Sequence, residues 1–127
     1  MVSAVTLIRS AELSDVAQYA YAATAPADAR LIFLAGSCPL DKAGATVGEG
    51  DYALQAEQCV ANMRTALLEA GATVEDVISS RVLVASTERR DLVVLTGHVS
   101  RYGSSGSITC RQCFGTHVHR IADGFWR

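Results

Sequence analysis

In the stretch "SITCRQCFGTHVH", Cys110, Cys113, His117 and His119 fall within ten residues, on either side of Arg111. Two thiols and two imidazoles form a donor set suited to a structural zinc ion. The pattern C-x2-C-x3-H-x-H would place His117 and His119 on one face of a strand, but it lacks the long spacer that normally separates two ligand pairs. Arg111 offers a different chemistry. Its planar guanidinium presents two parallel donors to a carboxylate, with a directionality that a lysine ammonium does not have. Cys113 reads as a packed thiol rather than a nucleophile, since the sequence fixes no histidine beside it. A zinc-binding interaction module and an arginine that clamps a small carboxylate are therefore the two readings of this run.

The elements that must position these residues follow from hydrophobic periodicity. Thr6 to Arg9 and "AQYAYAATA" read as two strands separated from the next element by the turn "APADAR". "LIFLAG" reads as a third strand, continuously apolar and ended by Gly36, where a ligand could come close to the backbone. From Asp51 to Ala70, the residues Ala53, Ala56, Val60, Met63, Leu67 and Ala70 recur at spacings of three and four. That spacing predicts a helix with one buried face, and Gly71 stands where a left-handed C-cap belongs. Gln55, Glu57, Gln58, Asn62, Arg64 and Glu69 occupy its other, water-facing side.

"VEDVISSRVLVAS" returns as a strand centred on Val82, Leu83 and Val84, so a right-handed crossover is expected. A second, shorter helix is expected within Glu88 to Tyr102, weakened at Gly97 and Gly103 by about 1 kcal/mol each relative to alanine. "ITCRQCFGTHVHRI", beyond the loop "GSSGS", reads as a last strand that carries Arg111. No repeat and no linker divides the sequence. The expectation is one α+β domain over residues 1–127: a mixed sheet with two helices packed on one face.

Composition narrows the class of function. A chain of 127 residues buries about two-thirds of its unfolded surface without needing a metal or a disulfide. Its net charge of -2 points to neither nucleic acid nor a membrane surface as partner. No stretch approaches the roughly 20 apolar residues of a membrane span. Cys38 and Cys59 lie in apolar sequence and read as reduced, packed thiols, which fits a cytoplasmic protein. The charge is unevenly distributed. Residues 1–95 hold seven basic and twelve acidic side chains, whereas residues 96–127 hold four arginines, Asp123 alone and all three histidines.

"QAEQCVANMRTALLEAGATVEDVISSRVLVAS" resembles the central segment of the Rid family, the YjgF-type reactive-intermediate imine/enamine deaminases. The shared features are a Gln-Ala helix start, an inward Asn, Ala-Gly at the helix end and a "DV" turn into a strand. "LAGSCPLD" is similar to the family's strand, glycine and loop proline, and Tyr19 falls at the family's tyrosine. The resemblance is strongest over residues 19–86, and residues 95–127 diverge from it. It implies a chorismate-mutase-like fold and a pocket between subunits of a homotrimer. There an arginine holds the carboxylate of a small 2-imino acid while water attacks the imine carbon, with no cofactor. An ungapped count from "RVLVAS" places that arginine at Arg111, with Tyr19 as pocket wall and Gly36 and Cys113 as further substrate contacts.

The sequence departs from the family pattern in two informative places. Ala35 stands where the family has a serine, and the family's acidic residue falls on Trp126. The resemblance thus supports two functions: a deaminase acting on 2-imino or enamine acids, weak in turnover, or a non-catalytic trimer that binds small carboxylates such as 2-keto acids as sensor or scaffold.

Overall fold

A computed structural model describes residues 2–14, 20–91 and 93–94, and residues 107–112 as backbone. The long helix, α1, spans Tyr52–Glu69 and is bounded by specific caps. Asp51 precedes it in extended conformation and accepts hydrogen bonds from the backbone N–H groups of Ala53 (2.9 Å) and Leu54 (3.1 Å), two of the donors that have no partner within the helix. At the other end Gly71 adopts φ +78°, its N–H donates to Leu68 O, and Ala72 N–H donates to Leu67 O. This is the paired-bond geometry that closes a helix through a left-handed glycine. Arg30 Nη2 donates to the carbonyl of Ala70, placing a cation at the negative end of the helix dipole.

The predicted apolar face is the buried one. Ala56, Val60 and Leu67 are buried, while Ala53, Met63 and Ala70 are half-buried. Ala56 and Val84 are the most enclosed pair, with Tyr52 and Val82 packed against them. The helix is thereby seated on the inner row of β3, Ser79–Val84. Tyr52 Oη donates to Ala85 O at 2.9 Å and ties the start of the helix to the end of that strand.

β1 (Thr6–Ile8) pairs antiparallel with β2 (Ala22–Thr24), and β3 pairs parallel with β4 (Ser107–Gln112). Both senses of pairing are therefore present in an α+β arrangement, as two ladders among the described residues. Parallel pairing of β3 and β4 needs a crossover, and residues 89–91 and 93–94, within the interval expected to hold a second helix, are helical. The turn that feeds β3 is a short 3-10 helix, Val74–Asp76. Asp76 fastens it by accepting from Thr73 N–H at 2.8 Å and from Ser3 Oγ at 2.7 Å.

One expected element is corrected. "LIFLAG" forms no strand: residues 31–38 carry no ladder pairing, and Leu31 and Phe33 are 73% and 89% exposed. An apolar run becomes a strand only when neighbours take up its backbone N–H and C=O groups, and none of the described residues does so here. Side-chain bonds anchor the segment instead, at Arg30 before it and at Cys38 and Leu40 after it. Gly36 consequently terminates no strand.

Candidate functional site

Arg111 lies on β4 directly across the ladder from Leu83, within an unbroken parallel register that runs from Ser79↔Ser107 to Val84↔Gln112. Burial on β3 alternates. Val82 and Val84 belong to the side that meets α1, whereas Ser79, Arg81 and Leu83 are exposed, Leu83 by 51%. Arg111 is thus registered with a residue of the open row.

Gly36 is exposed, and a Cβ built on it would meet nothing within 4 Å, so its backbone is open to approach. Tyr19 and Cys113 lie outside the described residues, as do His117, His119 and Trp126. Ala20, next in the chain to Tyr19, is buried and lines a cavity of about 210 Å3 with Leu7, Tyr21, Ala22, Ala23, Ile78 and Ser79. The cavity therefore sits at the β1–β2 ladder and the start of β3. Ser79 and Leu83 are four residues apart along β3, which at about 3.3 Å per residue separates the cavity from the Arg111 position by roughly 13 Å. Among the described residues, the cavity lies at the Ser79 end of β3 and the residue across from Arg111 near its other end.

The loop that follows Gly36 is held by side chains the helical wheel assigns to water. Asn62 Nδ2 donates to Cys38 O at 2.9 Å and to Leu40 O at 2.8 Å. Gln58 Nε2 donates to Asn62 Oδ1 at 2.9 Å, and Gln55 Nε2 donates to Gly48 O at 2.9 Å. Three polar side chains of α1 thus clamp residues 38–48. The i, i+4 spacing of Gln58 and Asn62 permits the bond between their side chains, while the loop they hold leaves no trace in that spacing. The family resemblance, which has an inward Asn, agreed with the structure where the wheel did not.

Cys59 lies beside this clamp. Burial, and then the neighbouring Cys38, push its thiol up to about 11, so at neutral pH it stays protonated. Both thiols are free and half-buried. Among the described residues no three His, Cys, Asp or Glu side chains gather in a metal-binding group. Nor is any helix among them long and apolar enough to cross a membrane.

Residues 10–102 match the family model described as Endoribonuclease L-PSP. The chain belongs to this family, also known as the YjgF or Rid family. The match extends beyond both ends of the segment 19–86 and stops before Arg111. A similar solved structure is that of YyfB from Yersinia pestis, a protein of unknown function of the conserved Rid protein family. It is 20% identical, with a TM-score of 0.77 over 89% of this chain and 88% of that one, and so confirms the Rid fold. A comparison with curated proteins gives no match.

Proposed function

We propose that this Rid-family chain hydrolyses small 2-imino or enamine acids to 2-keto acids and ammonia. The observation that carries the reading is the place of Arg111: the ungapped family count puts the carboxylate-holding arginine there, and that position is a strand residue registered on the exposed row of β3. Two charge-assisted bonds from its guanidinium would fix the substrate carboxylate, with Tyr19 as pocket wall and Gly36 and Cys113 as further contacts. Water then adds to the imine carbon. The resulting carbinolamine expels ammonia, its hydroxyl proton is lost, and a carbonyl remains. No cofactor enters this sequence of steps.

The site is completed between subunits of a homotrimer in this account. Two features support that. Ser79, which lines the cavity with Ala20, and Leu83, the residue across from Arg111, stand four places apart on β3, roughly 13 Å, a spacing that suits a site whose arginine and tyrosine come from different chains. Leu31, Phe33 and Leu83 are also exposed on the isolated chain, and apolar surface of this kind favours association. The family description names a ribonuclease, but a net charge of -2 gives no general attraction for a polyanion.

Trp126 at the family's acidic position favours a second reading, a trimer that binds small 2-keto acids without turnover. Proton transfer by a positioned acid or base supplies about 10²–10⁴-fold in rate, and a site lacking it is slower by about that factor. The two readings separate in one assay, ammonia release from an imine generated in place by an amino-acid oxidase. Release above buffer that saturates with protein supports the deaminase; carboxylate binding with release equal to buffer selects the sensor or scaffold.

A further inference from the structure

The clamp holds the loop that carries Cys38 to the part of α1 that carries Cys59. Asn62, one turn along α1 from Cys59, holds the carbonyl of Cys38 itself at 2.9 Å, and Gln58, the residue before Cys59, reaches Leu40 O at 3.3 Å. The backbone of residue 38 is therefore fixed against the turn of α1 that bears Cys59. Cys38 also contributes, after burial, to raising the Cys59 thiol, which agrees with this placement. Both are half-buried rather than sealed, so a small oxidant can reach them.

We propose that Cys38 and Cys59 form a reversible intrachain disulfide under peroxide, locking the loop after Gly36 onto α1. The chemistry assigns the two thiols different parts. Cys59 remains protonated at neutral pH and is the poorer nucleophile, so Cys38 is the thiol that attacks. Its thiolate sulfur takes one oxygen of the peroxide, the O–O bond breaks, and the other oxygen leaves as water or alcohol, giving a sulfenic acid at Cys38. The Cys59 sulfur then attacks the Cys38 sulfur, displacing hydroxide, which takes the Cys59 proton and leaves as water. Two thiols have lost two electrons and two protons, and one peroxide has been reduced. A dithiol reverses the step.

The lock acts where side-chain amides of α1 already hold the loop. It adds a covalent tie between a loop and a helix that the Asn62 and Gln58 bonds already join, so the loop should lose freedom. This inference does not depend on the deaminase reading and applies equally to a non-catalytic trimer.

Peptide mapping of the full-length protein after hydrogen peroxide treatment tests it. Trypsin separates the two thiols, since Cys38 falls in peptide 31–42 and Cys59 in peptide 43–64, and places Cys110 and Cys113 in other peptides. Peptides 31–42 and 43–64 are expected to be joined in the non-reduced digest, lighter than their sum by two hydrogens, and separated by dithiothreitol. At early times a sulfenic-acid trap should label Cys38 and not Cys59. In Cys59→Ser the trap should label Cys38 persistently, a readout that needs no disulfide. The proposal is overturned if both peptides stay unlinked in folded protein, if Cys38 is joined instead to Cys110 or Cys113, or if the trap labels Cys59 first.

Discussion

Asn62 on α1 donates to the carbonyl of Cys38, 24 residues earlier, at 2.9 Å, and the same amide donates to Leu40 O at 2.8 Å. One side chain thus joins the main helix to the loop on which Gly36 and Pro39 sit. Removing it leaves Cys38 O without that donor, while Leu40 O keeps the 3.3 Å bond from Gln58. Asn62→Ala is expected to destabilise the fold by about 2 kcal/mol, since it breaks one part-buried and one exposed bond to backbone carbonyls. Urea denaturation measures this. Because Gln58 also donates to Asn62, the double variant with Gln58→Ala should fall short of the sum of the two single costs.

Gly71 and Gly48 should respond differently to alanine although both have positive φ. At Gly71, with φ +78°, the added Cβ meets only the far end of Arg30, at 3.3 Å, so the cost is the left-handed backbone penalty of about 1 kcal/mol. At Gly48, with φ +72°, it would lie 2.6 Å from Leu54 Cβ and 3.2 Å from Gln55 N, at the first turn of α1. Backbone must move there, and about 2 kcal/mol or more is expected. Thermal melts of the two variants should rank in that order.

Much of this was legible in sequence where local rules act alone. The three-and-four spacing, Asp51 and Gly71 define α1 to within a residue at each end, and the apolar run Val82, Leu83, Val84 marks β3. "LIFLAG" was misread because a continuous apolar run specifies burial, and pairing depends on neighbours distant in sequence. The amides of Gln55, Gln58 and Asn62 were assigned to water for a related reason: a helical wheel records which face a residue occupies and is blind to a loop that folds back over that face. Of the candidate site, Arg111 could be placed on a strand from its surroundings. Its partner across the ladder, Leu83, could not, because parallel register between segments 28 residues apart leaves no local trace.

Acid should weaken the turn into β3 through Asp76. Its carboxyl is held below the ordinary value first by the hydrogen bond from Ser3 and then by that from Thr73 N–H. A folded-state value below the unfolded one near 3.9 means the stabilisation is present in full above that pH and is lost as pH falls through the lowered value. Urea midpoints followed between about pH 5 and pH 2 should therefore fall, less steeply in Asp76→Asn. Equal slopes would assign the acid sensitivity to other carboxylates.

Self-association is expected from a site shared between chains. Equilibrium sedimentation at tens of micromolar should return three times the chain mass of 13.4 kDa. Leu83→Glu and Phe33→Glu, which place charge on the exposed apolar positions, should shift the protein toward monomer while α1 remains helical by circular dichroism.

The central claim is that Arg111 clamps a small carboxylate, and calorimetric titration of a short 2-keto acid into the wild-type protein and two variants tests it most directly. Losing two charge-assisted bonds, about 3 kcal/mol together, should weaken binding by about two orders of magnitude in Arg111→Ala. Arg111→Lys, which retains the charge without the planar fork, should fall between wild type and alanine. Binding that is measurable in the wild type and unchanged in Arg111→Ala would contradict the account and place the carboxylate site elsewhere.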